Sequence, residues 1–235
     1  MQALCRLVAF VGVLLVVSGS VAYAAGPVAV PLKAIGGLPS LPKGKPGTVS
    51  VVAVGPYDNV LPVAIRNGSK SAVVDVKVTA TAYTAGRLVA TGSDQGVMPA
   101  VVPAGALALA YVYFGGRDLA PGTTYKFNVT ATPSARASSY FNQVGVPITT
   151  VRYLDGQVVG IAHSRGGKKV SGPLSVYATC FTADSKIAAM ETGFADSDDA
   201  FPNVDVPFTL DFTSYGTVAP PNCSRILLGM KGYSF

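Results

Sequence analysis

Ser71–Gly92 reads SAVVDVKVTATAYTAGRLVATG, and Ser171–Gly193 reads SGPLSVYATCFTADSKIAAMETG. Each is a run of alternating small apolar and polar residues, a short polar turn, and a second β-branched run. A period of two places alternate side chains on opposite faces of a strand. Ala72, Val74, Val76, Val78, Ala80 and Ala82 are therefore expected on a core, with Val73, Asp75, Lys77, Thr79, Thr81 and Tyr83 facing outward. Thr84-Ala85-Gly86 turns the chain and Arg87–Thr91 returns it.

The two stretches are one pattern written twice. Val78 and Val176 are 98 positions apart, and so are Ala80 and Ala178, Thr81 and Thr179, and Phe114 and Phe212. Upstream, Val60, Val63, Ala64 and Gly68 meet Val158, Ile161, Ala162 and Gly166 at the same shift. A fixed period that also keeps alternation and turns in phase is the mark of a structural duplication.

Around the hairpins lie further short strands. In copy one these are Thr48–Val54, Val60–Arg66, Leu107–Phe114 and Tyr125–Thr132. Gly92–Gly96 reads as a loop and Val97–Val102 as a short strand or link. Copy two gives Val146–Tyr153, Gln157–Ser164, Leu174–Phe181, Ser185–Met190, Pro207–Phe212 and Arg225–Met230. Turn signals recur between them, and no segment holds a helical period. This is the pattern of an all-β sandwich. The expected organisation is a signal peptide over 1–24, a Pro/Gly-rich spacer over 25–47, and β-sandwich modules over 48–144 and 145–235.

Composition agrees. Of 235 residues, 49% are hydrophobic and only 13% charged, a mixture that suits strands and turns. Arg6, the apolar run Leu7–Val17 and Ala22-Tyr23-Ala24 have the order of an export signal with cleavage after Ala24. The run is shorter than the ~20 apolar residues a bilayer span needs, so membrane anchoring is expected only if the signal stays uncleaved. The spacer, Gly26–Gly47, carries prolines that forbid a regular helix and favour extended backbone.

Export makes cysteine arithmetic informative. Cys5 lies in the signal, leaving Cys180 and Cys223 as an expected disulfide. They align with Ala82 and Tyr125, so the pair is present in one copy and absent from the other, as a staple between neighbouring strands would be. The alternative is two buried free thiols.

With the strands placed, the central hairpin resembles the FxLYD family of bacterial immunoglobulin-like modules. IRNGSKSAVVDVKVTATAYTAGRLVATG has the family's order: an asparagine turn, a Val-x-Val-x-Val strand ending in an aromatic (Tyr83, and Phe181 in copy two), a polar turn with Gly, and a returning strand. The name-giving Phe, Leu and Asp are replaced by Ala80, Ala82 and Thr84. The resemblance implies two tandem immunoglobulin-like β-sandwich domains of the cell envelope or the extracellular space, and it brings no catalytic residues.

The residues themselves offer little chemistry. His163 is the only histidine and has no partner fixed by sequence, so it reads as a surface or satisfied side chain. Gly166-Gly167-Lys168-Lys169 lacks the spacing of a phosphate loop and reads as a hairpin tip. Asp196, Asp198, Asp199 and Asp205 form one acidic cluster without the glycine and terminal Glu of an EF-hand; a solvated loop is expected, with Ca²⁺ the alternative. Asn67, Asn128 and Asn222 head formal glycosylation sequons. No catalytic, cofactor or metal residues are assigned.

Residues 25–147 carry ten Lys/Arg against four Asp/Glu, whereas 148–235 carry seven against eight. The basic residues are scattered and lack interleaved aromatics, so no nucleic-acid partner is expected. The function expected is non-catalytic: binding or spacing outside the cytoplasm, with an unknown protein or an envelope polymer as partner. The alternatives are a subunit of a surface assembly, whose edge strand accepts a neighbour's strand, and a hydrolase using a carboxylate pair from the stretch Asp196 to Asp205.

Overall fold

A computed structural model describes residues 28–138, 142–164, 168–213 and 222–235; the expected signal peptide and the Gly166-Gly167 tip lie outside them. The chain is all β, and no described helix is long and apolar enough to cross a membrane.

In chain order the strands are β1 (Lys33–Ile35), β2 (Val49–Val54), β3 (Val60–Asn67), β4 (Val73–Thr84), β5 (Arg87–Met98), β6 (Leu107–Tyr113), β7 (Thr124–Pro133), β8 (Gln143–Val146), β9 (Ile148–Leu154), β10 (Gln157–Ala162), β11 (Val170–Phe181), β12 (Ile187–Phe194), β13 (Asp199–Ala200), β14 (Val206–Asp211) and β15 (Arg225–Tyr233). The first half forms a six-stranded sheet in the order β2-β3-β6-β5-β4-β7. The second half has β14-β10-β9 facing a sheet built on β15-β11-β12. These orders correspond strand for strand: β9, β10 and β14 stand where β2, β3 and β6 do, and β12, β11 and β15 where β5, β4 and β7 do. The bulge on β4 after Ala82, opposite Leu88–Ala90, recurs on β11 after Cys180, opposite Ile187–Ala189.

The halves differ at one seam. β5 pairs β4 through Thr84–Thr79 and then continues to pair β6 through Ser93–Met98, with an irregularity at Gln95-Gly96. A bulge lets a strand bend and change partners. One continuous sheet thereby folds over the core of Leu61, Val63, Ile65, Val78, Ala110, Val112 and their neighbours. The expected loop at Gly92–Gly96 is thus strand. β12 ends at Phe194, touches β14 without pairing it, and leaves two separate sheets around Val158, Val176, Phe208, Leu228 and Met230.

One expected strand is corrected. Val146–Tyr153 is not one strand: Pro147, which lacks an N–H, separates β8 from β9, and these join different sheets. The spacer packs on the second half. Its β1 pairs antiparallel with β15, Ala34 opposite Leu227. Val73, expected outside, is 4% exposed because β4 shifts register between Val74 and Lys77, with Asp75 at φ 47°.

A third apolar cluster joins the halves. Ala64, Leu107 and Leu109 of the first pack with Phe181, Ile187 and Leu227 of the second, and Leu32, Ala34 and Leu41 of the spacer close around them. The strands involved are apolar on both faces: Leu61–Ile65, Leu107–Ala110 and Ile226–Met230 are buried without a break.

Candidate binding groove between the halves

The residues singled out by sequence do not form one site. His163 Nδ1 lies 3.8 Å from Asp205 Oδ1, outside hydrogen-bond range, and its backbone N–H donates to Pro147 O. Asp199 belongs to β13 beside β11 and pairs with Lys169 Nζ at 2.8 Å, whose ammonium also sits 5.5 Å from the Phe201 ring centre. Among the described residues no three His, Cys, Asp or Glu side chains are grouped to hold a metal. Cys180 and Cys223 are disulfide-bonded, their Cα atoms 5.2 Å apart, so their sulfurs are committed. Their counterparts Ala82 and Tyr125 are direct cross-strand neighbours on β4 and β7.

Asn67 is no glycan acceptor. It is fully buried at the end of β3. Its Nδ2 donates to the carbonyls of Ser71, Val102 and Pro103, and its Oδ1 accepts from the Ser69 N–H and hydroxyl. The asparagine of the Asn-Gly-Ser turn therefore ties three segments together.

The concave feature lies where the spacer crosses the second half. Residues 28–35 form a strap over β8 and along β15. Glycines make room for it. A Cβ on Gly145 would fall 2.6 Å from Val30 Cβ, and one on Gly229 would fall 2.9 Å from Leu32 Cδ2 and 2.5 Å from Met98 Cγ. The groove beside the strap has a volume of about 600 Å³, within the range of small-molecule sites. Its walls are mainly apolar, with Val30, Met98, Pro99, Val146, Val170 and Met230 among them. Lys33 and Lys168 are its charged lining groups, and no carboxylate lines it among the described residues. Lys33 Nζ donates to Thr149 O at 3.3 Å.

Next to the groove a buried polar clasp joins the halves. Lys231, on β15, is 8% exposed, and its Nζ donates to Val97 O and Gln143 Oε1, both at 3.1 Å. Burial pulls its ammonium below the ordinary lysine range, and Asp94 opposes that. Asp94 accepts from the N–H groups of Val78 and Gly96. The Tyr177 hydroxyl, pushed well upward by burial and by Tyr111, donates to Gln95 O at 3.4 Å. Gly96, at φ 131°, leaves space for both tips: its Cβ would lie 3.1 Å from Lys231 Nζ and from the Tyr177 hydroxyl. A smaller cavity of about 200 Å³ opens beside this clasp, lined by Asp75, Lys77 and Lys231 among others.

Sequence reasoning missed Lys231, Gln143 and Asp94, because their association crosses between halves. The available signal was the lysine that directly follows the apolar run Ile226–Met230, where a charge needs a partner once buried. No protein-family model matches the chain, and neither does any curated protein or solved structure.

Proposed function

We propose that the protein is a non-catalytic, exported protein of the cell envelope or extracellular space, in which two β-sandwich modules form one stiff unit with a binding role. The groove of about 600 Å³ at their junction carries this reading. A large apolar recess with a few basic groups suits a partner that is part apolar and part anionic. The junction around it is stiff for physical reasons: a shared apolar layer, a buried lysine bonded across the halves, and a strap packed on glycines. Interfaces of that kind restrain the domain motion that tandem modules otherwise show. The Cys180–Cys223 disulfide is compatible with an oxidising compartment. The FxLYD resemblance of the hairpin supports the same location.

The test is an array of glycans, peptidoglycan fragments and lipids probed with the full chain. Retention of an anionic partner is expected, lost on Lys168→Glu at the groove and kept on Arg87→Glu at the remote β4–β5 turn. An array that retains the chain nowhere overturns the binding role.

A further inference from the structure

We propose that the strap is an exchangeable strand, and that its second acceptor is β15 of another copy of this chain. This reading is independent of what the groove binds.

β15 is completed from outside its own half. One edge pairs with β11; the other pairs with β1 through Arg225-side residues Ile226–Leu228 and with β8 through Met230–Tyr233. Its counterpart β7 ends its sheet, with β4 as its one paired neighbour among the described residues. The β15 edge is a shaped receptor, because Gly145 and Gly229 take Val30 and Leu32, and Gly36 passes so close to Ser224 O that a Cβ would lie 2.3 Å from it. The donor is a short segment near the start of the described chain and lies before the first half in sequence. Nothing in its pairing depends on belonging to the same molecule.

The hinge is equally defined. Gly36 and Gly37 follow β1 at φ 71° and 89°, consecutive residues in a region that side chains avoid. Just beyond, the chain is held again. The Ser40 N–H donates to Ser185 Oγ, and the Arg66 guanidinium donates to Leu41 O and Pro42 O. The mobile unit in an exchange is therefore the strap up to Gly37, and residues 40–42 stay where they are. In an exchanged pair every strap contact is made again on the partner. Only the hinge conformation and the freedom lost on association separate the two states, which is the physical basis of domain swapping. An edge strand completed by a segment from elsewhere is also the means by which strand addition joins chains.

Gly37 gives a clean lever. A Cβ there would meet nothing within 4 Å. Gly37→Val therefore disfavours the tight closed hinge through backbone conformation alone, and the exchanged form gains.

The experiment mixes two variants, each with one cysteine added to the Cys180–Cys223 pair and with Cys5 replaced by Ser, Ala34→Cys and Leu227→Cys, which occupy facing positions on β1 and β15. After mild oxidation, a cross-linked dimer is expected whose peptide map joins positions 34 and 227. Its yield should rise with protein concentration and several-fold further when Gly37→Val is added. A chain carrying both substitutions, oxidised at high dilution, should close within itself. Closure there with no mixed dimer at any concentration overturns the proposal, and so does failure of both to link. Because Leu227→Cys removes buried volume, light scattering on Gly37→Val alone provides a second reading. A dimer or longer species is expected, and a monomer over the whole concentration range overturns the idea.

Discussion

Glu191 puts a pH dependence into the stability of the second half. It lies on β12 opposite Ala178, is 7% exposed, and faces the seam where β12 and β14 touch without pairing. Its Oε1 accepts the Thr192 N–H at 3.0 Å. Burial pushes the carboxyl up to about 7, with the charge of Asp211 adding to the effect. In the unfolded chain it returns to the ordinary glutamate value of 4.5. Between those values the folded chain binds more protons than the unfolded one, so stability falls as pH rises from about 4.5 through about 7. At about 1.4 kcal/mol per unit, the full difference reaches roughly 3 kcal/mol, an upper figure because the seam can admit water once the group ionises. Glu191→Gln removes the proton equilibrium and keeps the shape. Urea unfolding of both proteins at pH 4, 6 and 8 tests this. The variant should match the wild type at pH 4 and exceed it by about 2–3 kcal/mol at pH 8. Parallel pH profiles would refute the assignment, since some other group would then carry the dependence.

Three further outcomes follow from single contacts. Replacing both Cys180 and Cys223 by Ala should cost about 4 kcal/mol, the chain-entropy value for a separation of 43 residues, read from urea midpoints of oxidised wild type and variant. Asn67→Ala strands a buried cluster of carbonyls and the Ser69 donors, and should cost about 2–3 kcal/mol, whereas alanine at the sequon residue Asn128, on exposed-edge β7, should change stability by under about 0.5 kcal/mol. Thr179 is fully buried with a hydroxyl that has no hydrogen-bond partner among the described residues, so Thr179→Val should raise stability by about 1 kcal/mol in calorimetry, and a loss would show that the hydroxyl is bonded after all.

What the sequence disclosed depended on how local each interaction is. The hairpins at 71–92 and 171–193 were legible because alternation and turn chemistry are properties of neighbouring residues, and the duplication was legible because it repeats them. Alternation of that kind does not extend to every strand. Leu61–Ile65, Leu107–Ala110 and Ile226–Met230 are apolar at every step, the pattern of strands covered on both faces. The second cover is the other half of the molecule. The strap was legible as extended, from its prolines, but not as a strand: Lys33-Ala34-Ile35 is too short to show a period, and its partner lies nearly two hundred residues on. Gly92–Gly96 reads as a loop because it is polar and glycine-bounded, yet Asp94 spends its charge on backbone N–H groups inside the sheet. The groove and the Lys231 clasp exist only where distant strands meet.

The two halves show how one plan gives two closures. Through the hairpin register, Gly92 of β5 occupies the place of Glu191 of β12, since Ala80 faces the one and Ala178 the other. A Cβ at Gly92 would lie 2.6 Å from Tyr113 O and 2.8 Å from Val112 Cγ1. The absent side chain is what lets β5 come close enough to bond to β6 and close the first half as one sheet. In the second half the same place carries a carboxyl, β12 stays apart from β14, and the sheet remains open. An open sandwich has more edge to cover and less backbone pairing to hold it. The second half has what the first does not: a disulfide at β11, and a strap and β8 along β15. On this argument the open seam came at the cost of self-sufficiency, and the second half depends on segments from elsewhere in the chain. Glu191→Gly is the corresponding variant. By removing the wedge it should let β12 approach β14 and slow amide exchange along both strands; unchanged exchange there would show that the seam is held open by something other than this side chain.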